Sequence, residues 1–350
     1  MRKLLNTLYV STQGAYLHKE GETVAIEVGK EKKQYPFHLF DGIVCFGDVL
    51  CSPFLLGSCA ERDVSISFLT EHGRFLASVR GPVSGNVLLR RKQYRMADNA
   101  EATRAIAANL ISGKLANCRM VMNRTLRDHG DKIDAAAVRS ASESIHNIIG
   151  SIPTADTVDE VRGFEGQGAA TYFRVFNHLI LDQKTDFVFF DRNRRPPLDE
   201  VNALLSFVYT LLMHDVRSAL ETVGLDPAVG FLHRDRPGRP GLALDIMEEF
   251  RPVIADRLVL SLINRQQLTK KGFTKTASGA VLMDDATRKT VLTAYQNRKK
   301  DTLLHPYIEE SIPIGLLFFI QATVMARHIR GELAEYPPFF WRCYDGFSEL

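Results

Sequence analysis

Apolar and polar positions alternate with a period near two over the first eighty-odd residues, and this predicts strands. LYVSTQGAYLHKEGETVAIEV has β-branched and aromatic runs on either side of the turn-forming Lys19-Glu20-Gly21-Glu22. KQYPFHLFDGIVCFG and DVSISFLTEHGRFLASV continue the pattern, the second with a turn at Glu71-His72-Gly73. Between them CSPFLLGSCAER, residues 51–62, predicts one short helix. At RGPVSGNVLLRRKQYR, residues 80–95, Gly, Pro and Ser mark a connection, and the apolar spacing then changes to three and four residues. That spacing predicts helices in AEATRAIAANLISGKLANCRMVMNRTL, AAAVRSASESIHNIIGSI, TYFRVFNHLIL and DEVNALLSFVYTLLMHDVRSALETVG. It predicts two more in LDIMEEFRPVIADRLVLSLINRQQL and PIGLLFFIQATVMARHIRG. GFTKTASGAVLMDD, residues 272–285, reads as a lone hairpin turning at Ser278-Gly279. The expected fold class is α+β and multidomain. A small β-rich domain at 1–85 is followed by a large α-helical domain at 86–350, where the chemistry is sought.

Composition adds boundaries to this picture. A chain of 350 residues with 45% hydrophobic and 24% charged residues is that of a soluble globular protein with ample core. The net charge of +3 neither demands nor excludes nucleic acid. Cys45, Cys51, Cys59, Cys118 and Cys343 form no C-x-x-C pair and are odd in number, which argues against a zinc ribbon or a disulfide framework. Buried thiols in a reducing, cytoplasmic compartment are expected. MRKLLNTLYVSTQGAYL has no sustained apolar stretch of the kind a signal peptide needs. The most apolar run, residues 312–326, is shorter than the roughly 20 residues of a membrane span and is interrupted by Gln321. A buried helix and no membrane partner are expected.

The candidate chemistry centres on GFLHRDRPGRPGLALDIMEEF, residues 230–250. On a helix Asp245 lies at i,i+3 from Glu248 and i,i+4 from Glu249, so the three acids share a neighbourhood beside the apolar stripe of Leu244, Met247, Val253, Ile254 and Leu258. Such carboxylates repel one another unless something cationic sits between them, either a basic side chain or a metal ion. His233 ends the apolar run AVGFLH; with two or more carboxylates it makes a donor set suited to Mn²⁺ or Mg²⁺. A lone histidine beside acids is also compatible with a surface or satisfied core residue. A further acid, Glu165, stands in VRGFEGQGAATYFRVF beside Gly166, Gly168, Ala169 and Ala170. Helical glycines cost roughly 1 kcal/mol each against alanine. Close helix packing, or the approach of a bulky anion to the backbone, would justify them.

GFEGQGAATYF, then RPPLDEVNALLSFVYTLL, then GFLH…LALDIMEEFRPVIAD, in that order, resemble the CRISPR-associated endonuclease and integrase of spacer acquisition, the metal-dependent core nuclease of that system. The resemblance covers nearly the whole chain, and its wording further resembles a type I-C member. It implies Glu165, His233 and Glu248 as metal ligands for Mg²⁺ or Mn²⁺, with Asp245 as a fourth catalytic residue that orients a ligand or a water. Glu249 becomes a bystander, solvated or ion-paired, and Tyr209 a neighbour of the site.

The implied reaction is the insertion of short foreign DNA fragments into a CRISPR array by 3′-hydroxyl transesterification, catalysed by a hydrolase-class phosphodiesterase. The implied partners are double-stranded DNA (prespacer fragments and the CRISPR repeat), a second copy paired through the β-domains into a homodimer, and a small second adaptation protein that completes a heterohexamer. Basic clusters suited to phosphates comprise Arg192, Arg194 and Arg195; Arg234, Arg236 and Arg239; Lys270, Lys271, Lys275, Arg288 and Lys289; and Arg90, Arg91, Lys92 and Arg95. Of these, Arg194, Arg195, Arg236, Arg239, Lys270, Lys271 and Arg288, with Tyr209, are the expected nucleic-acid contacts. Two other readings remain at this stage: a structure-selective metallonuclease of DNA repair, and a catalytically silent DNA-binding scaffold whose acids merely pair with arginines.

Overall fold

The computed structural model describes residues 7–40, 42–62, 64–70, 75–79 and 86–341. The N-terminal MRKLL, the turn expected at Glu71-His72-Gly73, the Gly81-Pro82-Ser84 connection and Cys343 lie outside them.

The N-terminal strands form two four-stranded sheets. One has the order β1 (Thr7–Val10), β5 (Gly42–Phe46), β7 (Ser65–Leu69), β8 (Phe75–Val79); the first three run parallel and β8 is antiparallel. The other has the order β4 (Glu31–Pro36), β3 (Thr23–Val28), β2 (Ala15–Glu20), β6 (Val49–Cys51). The β2–β3 hairpin turns at Gly21, whose φ of 57° lies in the left-handed region. Helix α1 (Pro53–Glu61) begins where the Ser52 hydroxyl accepts the Leu55 N–H, and its proline sits in the first turn, where no amide donor is missed.

Strand β5 joins the two parts of the molecule. Its period of two sends Ile43 and Cys45 into a small core with Leu17, Val24, Leu55 and Ile66. Val44 and Phe46 face the other way, into the helical core, where Phe46 lies 5.9 Å from the ring of Phe207. A buried ion pair lies beside this seam: Lys299 meets Asp215 at 3.0 Å, Tyr295 donates to the same carboxylate at 2.9 Å, and Thr7 of β1 donates to it at 3.5 Å.

Helices begin at Val87 with α2 (Val87–Ala97). The 30-residue α3 (Ala100–His129) follows, then α4 (Ala135–Ser151), α5 (Val158–Arg174) and α6 (Glu200–Val223). Side-chain N-caps set four of these starts: Asn99 for α3, Asp134 for α4, Thr157 for α5 and Asp199 for α6. Helix α3 is central and packs on α4, α5 and the next helix, α7 (Gly241–Phe250). A π-helical turn, Arg251–Asp256, then leads into α8 (Arg257–Asn264). Pro252 lacks an amide hydrogen and cannot continue an α-helical ladder, which accounts for the wider turn inside the single helix expected there. After α8 come the hairpin β9 (Phe273–Lys275) and β10 (Val281–Met283), α9 (Asp285–Lys300), and a final α10 (Ile314–Arg330).

Three further departures from the sequence reading are local, the first being that α2 already forms within the 80–95 stretch read as a connection. TYFRVFNHLIL continues as helix only to Arg174. A short 3₁₀ turn, Phe176–Leu179, follows, and there Asn177 accepts the Phe189 N–H and the Phe176 and Phe189 rings meet at a tilt, 5.0 Å apart. The hairpin at 272–285 is also not alone: β11 (Thr302–Leu304) pairs with β12 (Ser311–Pro313), strands too short for any periodicity to register.

The glycines of α5 have separate reasons. A Cβ on Gly168 would lie 2.4 Å from Cδ2 of the buried Leu115 on α3, so this glycine sets the α3–α5 distance. At Gly166 a Cβ would meet nothing within 4 Å. Gly168→Val should therefore destabilise the fold by about 1–3 kcal/mol through overpacking. Gly166→Ala should be neutral or stabilising by up to about 1 kcal/mol. Denaturant melts of the two variants check the contrast, and equal losses would show that Gly168 does not set that distance.

Candidate metal centre and the cleft beside it

The site is assembled where the GFLH loop lies against the start of α7. Gly230 permits that approach: a Cβ there would meet the Asp245 Oδ2 and the Gly241 carbonyl carbon, each at 2.6 Å. Helix α7 begins without a side-chain cap, and the N–H groups that Asp245 gathers belong to the loop. Its carboxylate accepts from the amides of Phe231 at 2.5 Å, Leu232 at 2.9 Å and His233 at 2.9 Å, and bonds the His233 ring at Nδ1, 2.7 Å away. With Nδ1 engaged, Nε2 is directed toward Glu248, 4.0 Å from its Oε1. Arg162 on α5 donates to the Leu232 carbonyl at 2.6 Å. This ties the histidine loop to the helix that carries Glu165 one turn further on.

The structure thus brings together all four acid and histidine residues expected from the sequence. Glu165 is half-buried, Asp245 and Glu248 are buried, and His233 is partly exposed. The cation between the carboxylates is a side chain that the sequence reading did not single out. Lys114, buried on α3, ion-pairs with Glu165 and lies 2.8 Å from Glu248 Oε2 without hydrogen-bond alignment. Arg251, at the start of the π turn, holds the other oxygen of Glu248 at 2.8 Å. Burial alone would raise the Glu248 carboxyl, but the fields of Arg251 and Lys114 overcome it and hold the group well below the usual carboxylate range. Burial likewise opposes the charge on Lys114, and Glu248 and Glu165 outweigh it and hold that charge in place. A signal for Lys114 was present in the sequence: it falls on the apolar stripe Leu110, Ile111, Leu115, Cys118 of α3, a position where a lone lysine needs a partner.

The residues fit a divalent ion by donor chemistry. The set holds one imidazole and two carboxylates: His233 Nε2 lies 4.0 Å from Glu248, Glu165 and Glu248 share the Lys114 ammonium, and Glu248 Oε2 is buried with no aligned hydrogen-bond donor. Among the described residues no three His, Cys, Asp or Glu side chains already stand at metal-ligand separation, because the Lys114 ammonium lies between two of them.

Glu249 departs from the sequence reading. It is neither solvated nor ion-paired: it is fully buried, with Oε2 accepting from Gln321 at 3.0 Å and from the Phe339 N–H at 2.9 Å. Burial, against the pull of those bonds, pushes its carboxyl up to about 8. A cleft of about 310 Å³ opens beside the acids, and Lys114, Glu165, Arg192, Arg194, Tyr209 and Arg251 are among the residues that line it. Tyr209 donates to Asp256 at 2.6 Å, and its ring carries the guanidiniums of Arg192 at 5.2 Å and Arg251 at 4.9 Å.

The expected DNA-contact residues separate by exposure. Arg194, Arg195, Arg236, Lys270 and Lys271 are exposed. Arg239 is half-buried, its guanidinium lowered by burial and then by Arg236. Arg234 pairs with Asp159 at 3.0 Å. Arg288 is buried against Asp285, which leaves its guanidinium little surface to offer a phosphate. The Val281 N–H donates to the Pro197 carbonyl at 2.9 Å, tying the 272–285 hairpin to the loop of Arg194 and Arg195.

The Glu249 geometry has a consequence for pH. Its folded-state value lies above its unfolded one, so it stabilises the fold fully below about 4.5, and this contribution falls away as pH rises through about 8. Glu249→Gln should therefore gain stability relative to the parent across that interval, measured by chemical denaturation at several pH values. A difference independent of pH would show that Glu249 is ionised in the fold.

The family model for "CRISPR associated protein Cas1" matches residues 8–297. A CRISPR-associated endonuclease Cas1 of Chlorobaculum tepidum is 54% identical over 343 residues, 98% of this chain and all of that protein. Among solved structures, a Cas1 protein from Thermotoga maritima superposes with a TM-score of 0.81 at 23% identity, covering 93% of this chain and 97% of that one. A casposase bound to its integration product superposes with a TM-score of 0.83 at 22% identity, covering 98% and 96%. The β-rich start, the helical body and a family match across more than half of the chain lead to one conclusion: this protein belongs to the Cas1 family of CRISPR-associated proteins.

Proposed function

We propose that the chain is a metal-dependent DNA endonuclease and integrase that inserts short foreign DNA fragments into a CRISPR array. The observation that carries this reading is that Glu165 and Glu248 share one buried ammonium while His233 Nε2 faces Glu248, with Glu165 and Lys114 lining an arginine-rich cleft. Glu165, His233 and Glu248 would hold Mg²⁺ or Mn²⁺, which when bound stabilises charge on a phosphoryl oxygen and acidifies a hydroxyl or a water.

The chain's own residues do the rest. Asp245 fixes His233 through Nδ1, so that Nε2 keeps the lone pair a ligand needs. Arg192, Arg194 and Arg251 line the cleft and would hold the phosphodiester there. A DNA 3′-hydroxyl attacks phosphorus in line, a second 3′-oxygen leaves, and the proton of the attacking hydroxyl passes to solvent. No protein nucleophile is required. Tyr209 is not needed as one: burial raises its phenol well above the usual value, and its hydroxyl is committed to Asp256.

Double-stranded DNA would rest on Arg194, Arg195, Arg236, Arg239, Lys270 and Lys271, giving salt-sensitive affinity with little sequence preference. The exposed Tyr16, Leu50 and Phe54 lie on or beside edge strand β6 and suit pairing with a second copy into the expected homodimer. The small second adaptation protein would complete a heterohexamer. Among the described residues no helix is long and apolar enough to cross a membrane, and a cytoplasmic setting suits an enzyme of DNA.

The ion pairs of Glu248 with Lys114 and Arg251 favour one competing reading, a silent DNA-binding scaffold. One assay separates the readings: joining of a 3′-hydroxyl oligonucleotide into a repeat-bearing plasmid, with the partner protein supplied. Joining should require Mn²⁺ or Mg²⁺, vanish in His233→Ala, and fall about 10- to 100-fold in Asp245→Asn. A His233→Ala protein that joins DNA as well as the parent would sink the proposed site. DNA binding without chemistry would favour the scaffold, and cutting of branched DNA without joining would favour a repair nuclease.

A further inference from the structure

Lys114 has no role in the reaction as described, yet its ammonium sits between two of the candidate ligands. Its Nζ ion-pairs with Glu165 and lies 2.8 Å from Glu248, and its side chain is almost fully buried. Three carboxylates, Glu165, Asp245 and Glu248, face two cations, Lys114 and Arg251. The cluster as it stands carries one negative charge in excess. A divalent ion added to it would overshoot neutrality, whereas an ion that replaced the ammonium would balance it. An ammonium and a divalent ion held by the same two carboxylates are also mutually repulsive at a few ångströms.

We propose that Lys114 is the built-in counter-ion of the metal centre, and that an ion is loaded by exchange against its ammonium. The inference rests on the metal-centre reading above. The cleft offers Lys114 a direction in which to withdraw. Leu110, Ile111, Leu115 and Cys118 are buried around it on α3, whereas the cleft it also lines is open. There the ammonium would face the position proposed for the DNA phosphodiester, which supplies the anion it has lost. The exchange makes Lys114 a positioning residue: it keeps Glu165 and Glu248 together without an ion, and it sets the affinity with which an ion is taken up.

The test measures binding rather than turnover. Mn²⁺ affinity of the full chain without DNA is read from the electron paramagnetic resonance of free Mn²⁺. Lys114→Gln, which removes the charge and keeps a hydrogen-bond donor, should bind Mn²⁺ about tenfold more tightly or better. Lys114→Arg should bind it no more tightly than the parent. In the unsubstituted protein, Mn²⁺ should raise acylation of the Lys114 amine by an amine-reactive reagent several-fold against exposed Lys270, scored by peptide mass spectrometry; this needs no variant to fold. Unchanged or weaker Mn²⁺ binding by a folded Lys114→Gln, or Lys114 labelling unmoved by Mn²⁺, would overturn the exchange while leaving the metal centre intact. Mn²⁺ binding that survives His233→Ala would instead place the ion elsewhere and overturn the metal-centre reading, and the exchange with it.

Discussion

A carboxylate withdrawn from water has to be given a proton, a cation or hydrogen-bond donors, because leaving it bare costs several kcal/mol. Helix α7 buries three within five residues, and the structure satisfies each one differently. Asp245 receives three backbone amides and an imidazole. Glu248 receives two cations. Glu249 receives two hydrogen bonds to one oxygen and, with its carboxyl pushed up to about 8, keeps a proton at neutral pH. Much of the architecture around the helix follows from having to deliver those partners.

The donors for Asp245 require a loop pressed against the helix start, and that requires Gly230. The cations for Glu248 come from two directions, Lys114 from central α3 and Arg251 from the π turn that Pro252 enforces. The environment of Glu249 is closed by residues far along the chain. Asn117 on α3 donates to the Glu249 carbonyl at 2.8 Å and to the Phe339 carbonyl at 2.9 Å, so it binds helix and C-terminal segment together. Lys114 and Asn117 lie one turn apart, so a single stretch of α3 serves two neighbouring acids of opposite protonation state.

The sequence carried the strands, the helices and the residues of the site because each leaves a local trace. A period of two marks β5, a period of three to four marks α3 and α6, and acids on an apolar helix mark α7. What it did not carry depends on distance along the chain. Nothing in DIMEEF separates Glu249 from Glu248: both follow Met247, and their difference comes from Gln321 and Phe339 on one side and Lys114 on the other. Arg288 read as one more surface cation because its burial is set by packing on α9 and not by its neighbours in sequence. The parallel pairing of β1, β5 and β7 is of the same kind, since the crossovers that set it span tens of residues.

The question posed by the acids of α7 was whether a basic side chain or a metal ion lies between them. On the exchange proposed for Lys114, these two answers are successive states of one site. A pair of carboxylates held at ion-binding distance is repulsive, and a fold that depended on an ion to hold them would open whenever the ion left. A lysine on central α3 would remove that dependence, since Glu165 and Glu248 stay together through a covalently attached charge. The cost is paid in affinity, because an entering ion must displace an ammonium that the same carboxylates attract. A phosphodiester in the cleft offsets that cost by giving the ammonium a new anion, so metal and DNA would be taken up together more readily than either alone. For a chain whose proposed chemistry breaks and rejoins DNA, a centre that fills best with substrate in place keeps phosphodiester cleavage confined to DNA already seated in the cleft.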